Sequence, residues 1–530
     1  MNLVFRTDAS LDIGTGHVMR CLTLAGALRE QGATCRFICR ALPGNLIVRV
    51  REAGFAVTAL PPGEPDEPGE RETEPLPAHA AWLGASWRKD AEDTRVALQS
   101  LQPDWLIVDH YALDRAWERE VRPLCRHLMV MDDLADRPHD CDLLLDQTLD
   151  RDAAAYSGLV PQGCRVLTGT RYALLRPEFA ALRDYSLRRR RTGELRSILV
   201  AMGGVDKLNA TARVLDALRR SDLPTDSRLI VLMGGQAPWL DDVRMKAASL
   251  PWPCEVRVEA GNVAELTAAC DLAIGAAGGS AWERCALGVP ALLVVTAENQ
   301  RGVARALERA GAARLLGGVE SMDAALPDAL AGLGGEALSV MSRKAAAICD
   351  GRGAERLANV LWLWEVRVRD MCEGDLENVL RWRNHPEIRR WMYTSHEISP
   401  SEHREWYARV ARDPRRHLLI AEEAGTPLGF VQFTETGDEG VADWGFYAVP
   451  DALPGSGAKL GIAALDHAFG ALGLRKIRGE AIAGNERSAR FHRKLGFAQE
   501  GVMQKRSPDG TAPLDVLCFT LEASDWLERH

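Results

Sequence analysis

NLVFRTDASLDIGTGHVMRCLTLAGALREQGATCRFICRA, residues 2–41, decides the fold. NLVFRTDA has the composition of a strand. From His17 the apolar residues recur at helical spacing until Gly32, a natural stop. TCRFICRA then reads as a second strand. Strand, tight glycine turn, helix and strand make a βαβ unit, which requires a parallel sheet. Gly14 and Gly16 let the backbone of this turn pass close to a ligand. The turn opens a helix, whose free amides and positive dipole end attract phosphate. His17 follows at once. A cation at a helix N-terminus is disfavoured by roughly 0.3–1 kcal/mol, which favours the neutral imidazole that a general base needs. A histidine that only caps or packs fits the same local sequence, because a lone Gly-x-Gly is a weak signal.

Outward from this unit, DWLIVDHY and HLMVMDDL are short apolar runs with polar ends, expected as further parallel strands whose carboxyl ends face a crevice. PPGEPDEPGERETEP, residues 61–75, is acidic and proline-rich and reads as a surface loop. RRRRTG, residues 188–193, reads as a connection between domains. A second alternating α/β series follows. It contains two more glycine turns, MGG at 202–204 and GAAGGSAWE at 275–283. Gly203 and Gly204 in the first, and Gly278, Gly279 and Ser280 in the second, are candidates to hold a pyrophosphate. Glu283, one turn into the next helix, is placed to accept hydrogen bonds from a ribose. Close packing of helix on sheet also uses glycine, so that reading stays open. AENQ, 297–300, follows a buried strand and is expected in the cleft. From about residue 366 the pattern changes to strands joined by hairpins, then a glycine turn and a helix: a mixed α+β domain. The expected domains are 1–190, 191–362 and 363–530.

Composition sets outer bounds. The chain has 530 residues, more than one hydrophobic core usually serves. A formal net charge of −9 argues against nonspecific nucleic-acid binding. The 12 cysteines lack metal-site or redox-pair spacing, and Cys35 and Cys39 read as part of a buried strand. Reduced thiols in a cytoplasm are the simplest account. The N-terminus lacks a basic-then-apolar signal pattern, and no run suits a membrane helix. The Asp-x-Asp at 140–142 is too short a pattern to argue for a metal, and none is expected.

Several separated motifs together carry a resemblance: RTDASLDIGTGHVMRCLTLA, GTRYALLRPEF, AMGGVD, GGSAWERCALGVPALLV and TAENQ. Over residues 1–362 the chain resembles the UDP-sugar hydrolases of pseudaminic acid biosynthesis, which are similar to GT-B glycosyltransferases. The resemblance implies a GT-B-like pair of doubly wound Rossmann-type domains. It also implies cleavage of UDP-2,4-diacetamido-2,4,6-trideoxy-β-L-altropyranose to UDP and free sugar. His17 matches the family's catalytic histidine; Tyr111 and Asn299 match its substrate-cleft positions. The family often has Ser-Asp-Pro after Met-Gly-Gly, where this chain has Val205-Asp206-Lys207. The chemistry suits these residues. UDP is a good leaving group, glycine-turn amides stabilise its charge, and a base that activates water on the opposite face of the sugar inverts the anomeric centre without a metal.

In the C-terminal part, PGSGAKLGIAALDHAF (454–469) and NERSARFHRKLGF (485–497) resemble the GCN5-related N-acetyltransferases (GNAT). In that family a glycine turn holds the acetyl-CoA pyrophosphate, and a splayed strand pairs with the pantetheine arm. Gly455, Ser456, Gly457, Ala458, Lys459 and Gly461 fall on the turn, with Ala452 where Gln or Arg usually opens it. Asn485 falls on the second motif. The position of the tyrosine that protonates the departing thiolate carries His492, with Tyr447 or a water as alternatives. LRWRNHPEIRRWMYTSHEIS, 380–399, is similar to the pseudaminic-pathway acetyltransferases, which places Arg383, Asn384, Trp391 and Tyr393 near an amino-sugar.

The expectation is therefore a bifunctional enzyme acting on UDP-sugars with acetyl-CoA as cosubstrate, without nucleic-acid or membrane partners. Three competitors share parts of the pattern: a GT-B glycosyltransferase, a nonenzymatic nucleotide-sugar sensor, and an acetyltransferase of protein amines.

Overall fold

The computed structural model describes residues 1–63, 76–190, 193–235, 237–394, 396–506 and 513–530. Most of the proline-rich 61–75 stretch and the middle of RRRRTG lie outside these. The chain divides into two compact units, Met1–Leu357 and Ala358–His530.

The first unit holds two parallel sheets. One comprises β1 (Asn2–Thr7), β2 (Thr34–Arg40), β3 (Ala56–Leu60), β4 (Trp105–Asp109), β5 (His127–Met131), β6 (Leu143–Asp146) and β7 (Arg165–Thr168), in the order β3-β2-β1-β4-β5-β6-β7. The other comprises β8 (Ser197–Ala201), β9 (Arg228–Met233), β10 (Cys254–Val258), β11 (Leu272–Ala276), β12 (Ala291–Val295) and β13 (Ala313–Gly318), in the order β10-β9-β8-β11-β12-β13. Central strands such as WLIVD in β4 are buried along their whole length, because helices cover both faces. In each sheet the order reverses beside the first strand. That switch point opens a crevice at the carboxyl ends of β1 and β4, and of β8 and β11.

The helix Pro177–Arg189, at the end of the first α/β series, packs with the second sheet. Phe179 joins the core around Leu199, Trp282 and Leu293, and Arg183 donates to the carbonyls of Ala286, Ala346 and Cys349. Beneath the first crevice lies a buried ionic network. Asp90 accepts from Arg6 at 2.6 Å, Arg40 at 2.5 Å and the Trp117 indole at 3.0 Å, all three charged groups being fully buried. Asp90→Ala takes a shared carboxylate from two buried guanidinium groups, leaving Arg6 with Asp8 and Arg40 with Asp93, and is expected to destabilise the first unit by about 3 kcal/mol. The shift in the midpoint of denaturant unfolding measures it.

The second unit is one mixed sheet. Its strands are β14 (Val366–Asp370), β15 (Arg416–Glu423), β16 (Thr426–Glu435), β17 (Val441–Ala448), β18 (Lys476–Ile482), β19 (Ala498–Arg506) and β20 (Pro513–Glu522), in the order β14-β15-β16-β17-β18-β20-β19. Every pair is antiparallel except β17 with β18. That parallel pairing lasts only from Val441–Lys476 to Asp443–Arg478. Beyond it β17 stays on β16 to Ala448 while β18 continues beside β20, so the sheet forks. Among the described residues, no helix is long and apolar enough to cross a membrane.

Candidate active sites

In the first unit the helix Gly16–Glu30 starts from the turn after β1, where Gly14 has φ 79°, a conformation that glycine adopts without strain. His17 is 7% exposed, and its Nδ1 lies 2.6 Å from Oδ1 of Asp109 at the end of β4. Burial pushes the Asp109 carboxyl up, but Arg20 and His17 more than reverse this and hold it well below the usual carboxylate range. An ionised carboxylate only accepts, so in the neutral imidazole Nδ1 carries the proton and Nε2 the lone pair. Arg20 donates to both oxygens of Asp109, at 2.7 Å each, and also to Asp133. Tyr111 donates to Asp133 at 2.9 Å and meets the His17 ring edge-on, with centroids 4.5 Å apart. Burial keeps this phenol protonated. Thus Asp109 selects the tautomer of the neutral His17 ring from 92 residues away in the chain. Sequence reading missed Asp109, Arg20 and Asp133; the signal for the two aspartates was the acidic ends of the runs WLIVD and MDD, and Arg20 had none beyond its place one turn after His17.

The glycine turns separate into two kinds. A Cβ on Gly14, Gly16, Gly203, Gly204 or Gly279 would meet nothing within 4 Å, and one on Gly278 only the Gln300 amide at 3.9 Å. These turns border open space. Gly275 is the packing glycine, since a Cβ there would lie 2.6 Å from the Ala201 carbonyl. Buried Arg284 donates to Ser280 Oγ at 3.1 Å and to the Ala276 carbonyl at 2.7 Å, placing a positive charge under the turn. Burial raises the Glu283 carboxyl pKa, with Arg176 at 3.8 Å opposing this. Asn299, exposed at the start of the helix Gln300–Arg309, makes no capping bond with its side chain. Asp206 caps the helix Ala210–Arg219 through the amides of Ala210 and Thr211, so the Val-Asp-Lys departure includes a structural aspartate. Lys207 lies 3.3 Å from Asp12, which brings the turn after β8 against the turn after β1.

The second unit redistributes its predicted residues. Gly455, with φ 97°, starts the helix Ser456–Asp466, and a Cβ on Gly457 would meet nothing within 4 Å. The Gly457 amide thus begins a helix at an open surface, while the Ser456 and Ala458 amides donate to the carbonyls of Leu453 and Gly455 at 3.1 and 3.0 Å. Gly461 is not a ligand contact: a Cβ there would strike Phe491 at 2.5 Å and Leu495 at 2.9 Å, so its glycine serves helix packing. Lys459 is ion-paired with Glu423 and lies over the Trp362 ring. Asn485 uses its Oδ1 to cap the helix Glu486–Lys494, accepting from Ser488 N at 3.1 Å.

His492 is not poised as an acid. It is fully buried, its Nδ1–H donates to the Ser488 carbonyl at 2.9 Å, and its Nε2 accepts from the Trp444 indole at 3.1 Å. Burial depresses its pKa to about 4, so at neutral pH the ring is uncharged, its one proton is bound to the Ser488 carbonyl and Nε2 has none to give. Asn384 also has another task, stapling the loop by both amide atoms to the backbone of Ile398, at 2.8 and 2.9 Å.

Polar groups without protein partners gather on the other face of β17. Arg383 donates through Nη2 to the Thr394 carbonyl at 2.9 Å, while its buried Nη1 has no hydrogen-bond partner. His403, on the helix Pro400–Val410, is 5% exposed, and its buried Nε2 is likewise without one. Burial lowers the His403 pKa, and Arg383 lowers it further. Tyr447 stays protonated because burial raises its pKa, with Arg383 opposing. Tyr393 donates to Glu480 at 2.5 Å, and Lys505 pairs with the same oxygen. Trp391 packs under the Arg390 guanidinium, 5.3 Å from its ring centroid. His403 and Glu480 were missed in the sequence, where SEHREW reads as an ordinary solvated helix face. Among the described residues, no group of three or more His, Cys, Asp or Glu is placed to hold a metal ion.

Comparison with known proteins fits this division. Residues 365–498 match the family model described as acetyltransferase (GNAT) domain. An uncharacterized protein of Methanocaldococcus jannaschii is 23% identical across 79% of this chain and 80% of its own length, an alignment that extends into both units. The UDP-2,4-diacetamido-2,4,6-trideoxy-β-L-altropyranose hydrolase of Campylobacter jejuni is 25% identical over 266 residues, covering 50% of this chain and 81% of its own. The acetyltransferase PseH of the same organism is 24% identical over 128 residues, 24% of this chain and 80% of its own. Among solved structures, MurG of Acinetobacter baumannii covers 68% of this chain and 99% of its own at TM-score 0.51 and 15% identity, which shows the GT-B fold. The chain is an enzyme with homology to a UDP-sugar hydrolase and to a pseudaminic-pathway acetyltransferase.

Proposed function

We propose that the protein is a bifunctional cytoplasmic enzyme carrying out two consecutive steps on one UDP-sugar. The second unit transfers acetyl from acetyl-CoA to the 4-amino group of UDP-4-amino-4,6-dideoxy-N-acetyl-β-L-altrosamine. The first unit hydrolyses the resulting UDP-2,4-diacetamido-2,4,6-trideoxy-β-L-altropyranose to UDP and free sugar. The observation that carries the reading is the His17–Asp109 pair in a crevice bordered by open glycine turns.

For hydrolysis, His17 Nε2 accepts a proton from water as the water oxygen bonds to the anomeric carbon. The bond from that carbon to the diphosphate oxygen breaks on the opposite face, inverting the centre. Asp109 fixes the tautomer and supports the imidazolium that forms. Amides of the turns at 203–204 and 278–280, Ser280 and the Arg284 charge stabilise the leaving UDP. Glu283 and Asn299 address the nucleoside and sugar, and Tyr111 lines the sugar side.

For acetyl transfer, the amine attacks the thioester carbonyl, and His403 Nε2 takes the proton the amine loses. Coenzyme A leaves as thiolate, and Tyr447, on the same face as His403 and Arg383, supplies its proton. The Gly457 amide and the positive end of the helix Ser456–Asp466 hold the pyrophosphate, while Arg383, Tyr393 and Glu480 orient the amino-sugar.

Mass spectrometry of the purified protein with acetyl-CoA and the 4-amino UDP-sugar tests both steps. A nucleotide-sugar heavier by one acetyl group, followed by UDP and free diacetamido sugar, is expected. The fold shared with MurG favours glycosyl transfer as the second reading; UDP release with water as the only acceptor rules against it.

A further inference from the structure

The fork between β17 and β18 has a plug at its apex. The last paired residues are Asp443 and Arg478, so the first residues beyond the pairing are Trp444 and Gly479. The Trp444 indole N–H donates to His492 Nε2 at 3.1 Å. A Cβ on Gly479 would lie 2.5 Å from that Nε2 and 2.8 Å from the Trp444 indole nitrogen. The two rings therefore sit directly on the bare backbone of β18. Phe519 stacks on the imidazole at 4.7 Å and Phe497 on the indole at 5.2 Å, closing the pair in. The second nitrogen of His492 is fixed to the Ser488 carbonyl, so the helix Glu486–Lys494 anchors the plug from behind.

Neighbouring strands with free N–H and C=O groups tend to pair, since each unpaired buried backbone group is costly. A fork stays open only if something fills its apex. We propose that the hydrogen-bonded Trp444–His492 pair, seated on Gly479, is the wedge that holds β17 and β18 apart and keeps the edge of β17 from Trp444 to Ala448 ready for the amide groups of the pantetheine arm of acetyl-CoA. This rests on the acetyl-CoA reading above. Trp444 and His492 are positioning residues: they shape the strand that binds the cosubstrate and take no part in proton transfer. Gly479 is required because any side chain there would occupy the wedge's seat.

Steady-state acetyl transfer by the full chain tests this. Trp444→Phe and His492→Asn each remove the indole–imidazole bond, and each is expected to raise KM for acetyl-CoA about tenfold while kcat falls less than about threefold, the scale of one lost buried hydrogen bond. The double variant should bind no worse than either single one, because both remove the same bond. His492→Gln places an acceptor where Nε2 stands and should return KM to within about threefold of the parent. A fall in kcat of about a hundredfold or more in both His492 variants, with KM unchanged, makes His492 the acid and overturns the wedge. Unchanged kinetics in Trp444→Phe and His492→Asn overturn it as well. If these variants fail to fold, hydrogen exchange on the parent decides: those amides of 444–448 that face away from β16 should gain protection only when coenzyme A is added. Protection already complete without it means that the fork is closed, which overturns the proposal. A parent that binds no coenzyme A by calorimetry overturns the acetyl-CoA reading itself.

Discussion

His17→Leu abolishes UDP release while leaving UDP-sugar binding by calorimetry within a few-fold of the parent. The loss expected for removing a positioned base is about 10²–10⁴-fold in kcat, and the binding groups on the glycine turns are untouched. Asp109→Asn is the more telling companion. It preserves shape and burial but replaces an obligate acceptor with a side chain that can also donate. The imidazole is then free to adopt the tautomer with its proton on Nε2, which cannot act as base, so kcat should fall by about 10²–10⁴-fold. Arg20, which is deeply buried, also loses one of its two carboxylate partners and keeps only Asp133. Part of the damage in this variant should therefore appear as lost stability, read separately by denaturant unfolding. Turnover of His17→Leu near the parent rate, in protein that binds the UDP-sugar, removes His17 from the mechanism.

His403→Gln lowers acetyl transfer by about 10²–10³-fold without altering UDP release from the diacetylated sugar, which belongs to the other unit. Its pH dependence gives a second check. Burial, reinforced by Arg383, depresses the His403 pKa below the ordinary value of about 6.5, so the imidazole is neutral and able to accept a proton at neutral pH. Activity fails as the pH falls through that depressed value, which places the acid limb of kcat below about pH 6.5. The limb should be missing from the residual activity of His403→Gln. An unchanged rate and an unchanged limb in this variant assign the proton to another group.

The residues differ in how far their chemistry could be read in advance. His17 was conspicuous because the glycine turn, the helix start and the histidine are contiguous. Its tautomer was not, because the carboxylate that selects it arrives from β4. The glycines show the same limit. Gly457 and Gly461 sit in one motif and look equivalent in the sequence, yet one opens to solvent and the other clears room for Phe491. His492 occupied the right place in a family spacing, but Trp444, 48 residues earlier, takes its Nε2. Asn384 and Asn485 are polar residues in promising motifs whose amides serve the backbone instead. His403 gave no local signal at all, since a half-polar helix rarely reveals which of its members lacks a partner.

What the sequence by itself determined is what depends on near neighbours in the chain: the βαβ periodicity, the glycine turns at strand ends, the change of pattern near residue 366, and the presence of two chemistries. Burial and partnership were decided only by the tertiary structure. Strand order sets β4 beside β1 and so gives His17 its carboxylate, and the early end of the β17–β18 pairing opens the fork in the second sheet. The physical reason is range. Helix and turn formation are settled within a few residues, whereas a proton's location or a hydrogen bond's availability depends on groups that only the folded chain brings within about 3 Å.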